Sequence, residues 1–186
     1  MPLDRDAPMA EYEALTAMLH RAYRAQVEMG LRPLAGRQSV DVTLRRCRAG
    51  ETFVARSVND GATEPDGSGA VSSPLGMILF EEQEEAAFPA WFLRPEVAHF
   101  SLLAVEPAMQ GHGVGAALLR AVEARAAALG LRELALSMAE PDAPLLGYYR
   151  RRGFRFVQHW QWPYTNYRSA ILSRAVGEAP KASPRP

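Results

Sequence analysis

A glycine-rich stretch, AVEPAMQGHGVGAALLRAV over residues 104–122, constrains the fold of this chain more than any other part of the sequence. An apolar run comes first, followed by a spacer that contains Pro107, three glycines at alternate positions and a helical pattern of apolar residues. A strand, a glycine loop and a helix in this order point backbone N–H groups at a helix N-terminus, where they bind phosphate. The stretch therefore predicts a nucleotide-binding loop within a mixture of strands and helices.

Two nucleotide-binding designs place glycines between a strand and a helix. Gly111, Gly113 and Ala116 satisfy the pattern G-x-G-x-x-A, which would indicate a Rossmann fold that binds a dinucleotide. However, five residues, EPAMQ, separate Val105 from Gly111, whereas the dinucleotide turn follows its strand almost at once. The next predicted strand ends at residue 139, which leaves little chain for the further strand–helix units of that fold. The spacing therefore makes the Rossmann fold the weaker alternative.

Length and composition narrow the classes of function. A chain of 186 residues fits one domain, since domains run to about 100–200 residues. Lys plus Arg and Asp plus Glu both number 21, so the formal net charge is zero and no overall field attracts nucleic acid or an anionic membrane. No apolar run approaches the roughly 18 residues of a membrane span, and four scattered histidines with one cysteine show no metal-ligand spacing. We therefore expect no nucleic acid, membrane or metal partner.

The cysteine content and the termini bear on localisation and on domain organisation. Cys47 is the only cysteine and cannot form an internal disulfide, and the first residues show no signal-peptide pattern. These features predict a reducing, cytoplasmic setting. We expect one domain over residues 1–177 and, because its composition is rich in Pro, a disordered tail over residues 178–186.

Apolar periodicity predicts the elements along the chain. Helices are expected over residues 11–29, 39–48, 114–129 and 143–153, and strands over residues 52–58, 75–82, 98–105, 131–139, 154–162 and 167–176. The Gly, Pro and Ser content of residues 59–74 indicates a mobile loop between the first two strands. The order is helix, helix, three strands, helix, strand, helix, two strands, which favours a mixed sheet with helices packed on it.

Two motifs resemble those of the GNAT acetyltransferase superfamily. LAVEPAMQGHGVG, which begins at Leu103, resembles its acyl-CoA loop, L-x-V-x-P-x-x-[QR]-x-x-G-x-[GA], with Gln110, Gly113 and Gly115 at the last three specified places. YRRRGF, which begins at Tyr149, resembles the Y-x-x-x-G-F ending of the same superfamily. The resemblance covers residues 52–156, although a clear first strand before the first helix is missing. It implies an α/β (α+β) fold whose mixed, mostly antiparallel central sheet is flanked by helices and has a splayed strand pair that binds acyl-CoA.

The resemblance also implies an activity and a set of site residues. It implies an N-acetyltransferase that moves the acetyl group of acetyl-CoA, its cosubstrate, to a primary amine of a small molecule or peptide by direct attack in a ternary complex. Tyr149 corresponds to the general acid that protonates the leaving thiolate. The expected CoA-binding residues are Leu103 and Val105, which match the strand positions that pair with pantetheine, and the loop residues Gln110, Gly111, His112, Gly113, Val114 and Gly115, which would present N–H groups to the pyrophosphate.

Several roles stay open at this stage. The base that accepts the proton of the amine is His99, Glu81, Glu82 or water. The acidic cluster over residues 81–85 either favours a cationic amine or is a solvated turn. Asp142 stands where many members of the superfamily carry Asn, and its carboxylate can accept hydrogen bonds but not donate them.

Two further features have alternative interpretations. Residues 150–152, three arginines, either reach a CoA phosphate or form a solvated helix end. Trp160, Trp162, Tyr164 and Tyr167 either wall an acceptor pocket or pack at a sheet edge. A non-catalytic acyl-CoA-binding sensor is the alternative function, and a homodimer is a possible assembly.

Overall fold

The computed structural model describes residues 1–57, 73–82 and 87–177. Val58, most of the loop expected over residues 59–74, residues 83–85 of the acidic cluster and the tail over residues 178–186 lie outside the described residues. The helices are α1 (Met9–Ala22), α2 (Arg24–Glu28), α3 (Val40–Ala49), α4 (Val114–Ala128) and α5 (Ala143–Arg150), and 3₁₀ turns cover Leu34–Gly36 and Pro107–Met109. The strands are β1 (Glu51–Arg56), β2 (Pro74–Phe80), β3 (Val97–Val105), β4 (Glu133–Ala139), β5 (Arg155–Trp160) and β6 (Ser169–Ala175).

The six strands form one sheet in the order β1-β2-β3-β4-β6-β5. Neighbouring strands are antiparallel except β3 and β4, which are parallel, so the expected mixed and mostly antiparallel sheet is confirmed. Helices α1 and α3 cover one face of the sheet and α4 covers the other, and each face buries its own apolar core. None of the described helices combines the length and the apolar content that a bilayer span needs.

Strands β3 and β4 separate part of the way along their length. They pair only over residues 97–100 of β3 and 133–136 of β4. Beyond this point β3 continues to Val105 and β4 to Ala139 without pairing to each other. The expected splayed strand pair is therefore present, and it opens a gap in the middle of the sheet.

A bulge in β3 lies beside this gap. Leu79 pairs with Ser101 and Met77 with Ala104, so two residues of β3 oppose one residue of β2. Leu102, inside the bulge, has a φ of 50°, an unusual value for a residue with a side chain. The extra residue reverses the alternation of side chains: Phe100 belongs to the core under α4, whereas Leu102 belongs to the core under α1.

The start of the chain differs from the sequence-based expectation in one place. The single helix expected over residues 11–29 is wrong, because the chain breaks between α1 and α2 at Tyr23, whose φ of −92° and ψ of 2° end the first helix. At the break Tyr23 lines the central cavity, a tertiary packing effect that helical periodicity does not reveal. In place of a first strand, Pro2 forms an isolated bridge to Phe53 of β1.

Candidate active site

A cavity of about 790 Å³ occupies the gap between β3 and β4. Its lining from β3 includes the residues of the bulge and Val105, and its lining from β4 includes Ser137 and Met138. At one end lie Gln110, Gly111, Gly113 and Gly115 of the glycine loop, and at the other end lie side chains of α3, of the segment before β3 and of the β5–β6 connection. The cavity has the size of a small-molecule site and joins both ends through the splayed strands.

The glycine loop presents bare backbone to the cavity. Gly111 and Gly113 have φ values of 81° and 84°, and a Cβ atom on either would point into open space. Gly113 caps α4, and its carbonyl accepts the N–H of Ala117, so the N–H groups before Ala117 have no partner within the helix. Such a concave row of N–H groups at a helix N-terminus fits a pyrophosphate, which is the group that CoA would place there.

Two of the residues expected at the cofactor site do not line the cavity with their side chains. His112 is exposed, and its Nδ1 lies 3.0 Å from the carbonyl oxygen of Gln110. The side chain of Val114 packs against the core under α4 instead of facing the gap. Val114 can therefore contribute only its backbone N–H to an anion in the loop, whereas the N–H of His112 already donates to the carbonyl oxygen of Met109 at 3.4 Å.

Tyr149 lies on α5 at the floor of the cavity and is only 4% exposed. Its ring packs against Phe100 at 6.2 Å and against Phe154 at 5.4 Å, which fixes its direction. Burial, reinforced by the neighbouring Tyr23 and Tyr148, raises the pKa of Tyr149 well above its usual value of 10. The phenol therefore keeps its proton at neutral pH and above.

The adjacent Tyr148 points in a different direction and is partly exposed. The guanidinium of Arg152 lies 3.5 Å from the centre of its ring. Its hydroxyl lies 3.1 Å from the position that a Cβ atom on Gly115 would take. Tyr148 thus approaches the glycine loop, whereas Tyr149 packs beneath the gap. Arg151 and Arg152 also line the cavity, unlike Arg150.

Asp142 holds two elements together at the edge of the cavity. Its Oδ1 accepts the N–H of Leu145 at 3.0 Å and so caps α5, and its Oδ2 accepts a hydrogen bond from Nε2 of Gln26 on α2 at 2.9 Å. Both contacts use Asp142 as an acceptor, which gives a physical reason for a carboxylate at this position. Gln26 was not singled out from the sequence, because nothing in a helical pattern indicates a contact across 116 residues.

The three candidate bases are close together, and each already has partners. Glu82 is 2% exposed, accepts two hydrogen bonds from Arg46 at 2.5 and 2.8 Å, and accepts another from Ser101 at 2.5 Å. Glu81 accepts the backbone N–H of His99 at 2.6 Å. Arg46 and Ser101 were not predicted, since their contacts depend on the packing of α3 against α1 and β1 and on the bulge.

His99 sits between these two glutamates. Its Nε2 lies 3.0 Å from the carbonyl oxygen of Glu82, and its Nδ1 lies 3.4 Å from Oε1 of Glu81. Burial alone would lower the pKa of His99, but the Glu81 carboxylate and the Glu82 carbonyl outweigh it and raise that pKa above its usual 6.5. The ring stacks on Phe92 at 4.8 Å. Both ring nitrogens therefore face oxygen atoms of the protein.

Aromatic side chains line the end of the cavity that lies away from the glycine loop. Trp162, Tyr164 and Tyr167 are among them, whereas Trp160 is not in the lining. Phe88 and Phe92 join them and were not singled out from the sequence, although the close spacing of aromatic residues in FPAWF was an available signal. Within the described residues, no group of three or more His, Cys, Asp or Glu side chains is placed to hold a metal ion.

Comparisons with known proteins agree with this geometry. A family model described as "Acetyltransferase (GNAT) family" matches residues 35–154. A search by sequence against curated proteins finds no significant relative.

Solved structures show the same fold at low sequence identity. The chain is similar to an IAA acetyltransferase from Bacillus cereus ATCC 14579, with 16% identity, a TM-score of 0.57, and coverage of 94% of this chain and 97% of that one. It is also similar to the ribosomal-protein-S18-alanine N-acetyltransferase from Escherichia coli, with 14% identity, a TM-score of 0.59 and coverage of 95% of each chain. A chain of the NatC complex bound to Gag peptide and CoA matches with 16% identity, a TM-score of 0.60, and coverage of 94% of this chain and 96% of that one.

Proposed function

The chain belongs to the GNAT acetyltransferase family, and from this we propose that it transfers the acetyl group of acetyl-CoA to a primary amine of a small molecule or peptide. The observation that carries the proposal is that one continuous cavity joins the glycine loop to Tyr149 through the gap between β3 and β4. A NatC structure bound to CoA has the same fold, which supports CoA as the group donor.

The glycine loop would hold the pyrophosphate of CoA. Its unpartnered N–H groups at the start of α4 and the open space beside Gly111 and Gly113 fit two linked phosphates. The pantetheine arm would lie in the gap, beside Leu103 and Val105 of β3. Because β3 does not pair with β4 beyond Phe100, backbone groups there are available to a bound ligand.

The reaction we propose is a direct transfer in a ternary complex. The lone pair of the amine forms the new C–N bond at the thioester carbonyl, and the C–S bond breaks. A backbone N–H of β3 near the bulge would stabilise the developing oxyanion. The hydroxyl of Tyr149, which burial keeps protonated, would donate its proton to the departing thiolate. Since His99, Glu81 and Glu82 all have partners already, we propose that water accepts the proton from the amine.

A non-catalytic acyl-CoA-binding sensor is the second candidate function. The observation that favours it is that each of the three potential bases is already engaged within the protein. A sensor would bind CoA in the same loop and gap but would transfer no acetyl group to any amine.

The experiment that separates these functions compares the two adjacent tyrosines. An acceptor is first found by measuring CoA release from acetyl-CoA over a panel of amines. Tyr149→Phe should then lower kcat by about 10²- to 10⁴-fold, the usual range for a lost general acid. Tyr148→Phe is the matched control and should change kcat by less than about threefold, because its ring lies toward the glycine loop.

CoA affinity, measured by calorimetry, should change little in Tyr149→Phe, because a phenylalanine keeps the ring contacts with Phe100 and Phe154. Full activity of Tyr149→Phe would contradict the role of the phenol. Tight CoA binding with no release over the whole amine panel would instead favour the sensor.

A further inference from the structure

The cavity extends beyond the expected position of the thioester into a chamber lined by aromatic rings. We call this the ring chamber and define it by Phe88, Phe92, Trp162 and Tyr164. Trp162 stacks on Tyr164 at 5.7 Å. Phe88 meets Trp162 edge-on at 6.2 Å and lies tilted against Phe92, also at 6.2 Å. The four rings thus form a continuous apolar surface.

The ring chamber is tied directly to the splayed strands. Nε1 of Trp162 donates a hydrogen bond to Oγ of Ser137, which lies on the part of β4 that faces the gap. Trp162 is only 6% exposed, so its ring position is fixed by packing as well as by this bond. An acceptor in the chamber would therefore be held next to the point at which the acetyl group is expected.

The ionic groups that line this end of the cavity are already paired. Glu82 accepts hydrogen bonds from Nε and Nη2 of Arg46 and from the hydroxyl of Ser101. The phenols of Tyr23 and Tyr167 also line the cavity, and burial raises the pKa of both, so they stay neutral. Among the described residues, those that line the chamber therefore offer a bound molecule aromatic rings and neutral hydroxyls, rather than a carboxylate that could pair with a second cation.

Two surface segments are joined beside the chamber. Asn166, in the β5–β6 connection, donates to the carbonyl oxygen of Gly30 at 2.9 Å and accepts the N–H of Arg32 at 2.7 Å. Arg37 donates to the carbonyl oxygen of Tyr164 at 2.7 Å. These bonds connect the β5–β6 connection to the segment between α2 and α3, and both segments contribute lining residues.

We propose that the acceptor is a small primary amine attached by a short chain to a flat apolar ring, and that the ring chamber binds this ring. This inference rests on the proposed acetyl transfer and narrows its acceptor to a small molecule. Polyamines are disfavoured because the two carboxylates in the lining already accept hydrogen bonds, Glu82 from Arg46 and Asp142 from Gln26. Protein lysines are disfavoured because the two joined segments stand beside the chamber.

The test compares amines that differ in one feature. Acetyl transfer is measured as CoA release with 2-phenylethylamine, with butylamine, which lacks the ring, with spermidine, which adds cations, and with a lysine-containing peptide. Burial of the ring should raise kcat/KM for 2-phenylethylamine about 10-fold or more over butylamine. Spermidine and the peptide should be poorer acceptors than 2-phenylethylamine.

Variants locate the preference in the chamber. Tyr164→Leu and Phe88→Leu should each reduce the ratio of kcat/KM for 2-phenylethylamine over butylamine by about threefold or more, since each removes one ring contact. Phe156→Leu is the matched control, because Phe156 lies on β5, is 49% exposed and does not line the cavity. This control should keep the ratio of the wild-type protein.

A binding measurement separates failure of the inference from failure of the proposed function. Calorimetry with 2-phenylethylamine on the CoA-saturated protein should show binding that Tyr164→Leu weakens and Phe156→Leu does not. Acetyl transfer with equal kcat/KM for all amines, or with spermidine or the peptide preferred, would overturn the inference and leave the transferase in place. CoA binding without acetyl transfer to any amine would overturn the proposed function. If 2-phenylethylamine also showed no calorimetric binding, the inference that the ring chamber binds a ring would be overturned as well.

Discussion

His99 shows how a single buried residue near the candidate site acquires its properties from neighbours that are distant in sequence. Glu81 and Glu82 of the β2 end supply a carboxylate and a carbonyl to the two ring nitrogens, and Phe88 and Phe92 enclose the ring. Arg46 of α3 neutralises the side chain of Glu82. The charge next to the imidazole is therefore mainly that of Glu81, which favours the imidazolium form.

This arrangement predicts how the free energy of unfolding depends on pH. The pKa of His99 is raised in the folded protein, so its protonation stabilises the fold fully below the unfolded pKa of about 6.5, and this contribution is lost as pH rises through the folded pKa. Urea denaturation at pH 6 and pH 8 should show a larger loss of stability for the wild-type protein than for His99→Gln. The difference should approach, without reaching, about 1.4 kcal/mol for each unit by which the pKa is raised, because pH 6 lies only slightly below the unfolded pKa.

The comparison with His99→Gln removes the contributions of His20, His112 and His159, because these residues are present in both proteins. An equal pH dependence in the wild-type protein and the variant would show that His99 does not gain protons on folding. Glu81→Gln should give a dependence close to that of His99→Gln, since it removes the nearest carboxylate.

At the residue scale, the sequence predicts the parts of the site that a local motif encodes. Gln110, Gly113 and Tyr149 could be named because their spacing to neighbouring glycines is visible along the chain, and all three line the cavity. The partners of Glu82 could not be named. Its contacts with Arg46 and Ser101 join residues 36 and 19 positions apart, and they depend on how α3 packs and on where β3 bulges.

At the element scale, periodicity predicts α4, β3 and β4 to within two residues at each end. It does not predict the bulge in β3, because Leu102 and Leu103 continue an apolar run whose pattern is the same for a regular strand. The break at Tyr23 is hidden for a similar reason, since the apolar spacing of α1 continues through it. In both places the tertiary contacts of the cavity decide the local conformation.

The N-terminus of α4 gives a prediction that separates backbone from side chain. Gly113→Val should weaken CoA binding by at least about 10-fold, because valine is strained at a φ of 84° and its side chain would fill the open space beside the loop. His112→Ala should change the affinity by less than about threefold, because the His112 side chain does not line the cavity. Calorimetry with CoA on both variants provides the measurement.

Gly153→Val serves as a control for backbone strain alone, since Gly153 has a φ of 82° but is not part of the glycine loop. It should lower thermal stability without a comparable loss of CoA affinity in the folded protein. If His112→Ala abolishes binding while Gly113→Val retains it, the loop does not bind CoA through its backbone.

At the scale of the whole molecule, the sheet consists of two three-stranded parts. Strands β1 to β3 and strands β4 to β6 are joined by pairing over residues 97–100 and 133–136 only. A ligand in the gap would contact both parts. Its binding free energy should therefore appear as resistance of the entire fold to unfolding, and not only as local ordering of the glycine loop.

Thermal denaturation with two nucleotides tests this expectation. CoA at about 100 times its dissociation constant should stabilise the fold by roughly 2.7 kcal/mol, which corresponds to a rise in Tm of about 5–10 °C for a chain of this size. NADH at the same concentration should leave Tm nearly unchanged, because the spacer before Gly111 does not fit a dinucleotide turn. A rise with NADH and none with CoA would restore the Rossmann alternative.

The splay of β3 and β4 also leaves backbone amides without a strand partner in the middle of the sheet, where amides normally exchange slowly with solvent. Central strands usually hold the slowest-exchanging amides of a protein, because their N–H groups are bonded on both sides. Past Phe100, however, β3 is bonded to β2 alone, so the amides that face β4 have no strand partner. In deuterated water, the middle of this sheet should therefore take up label early, ahead of the flanking strand β1, and the slowest amides should lie in the paired half of β3 before the bulge.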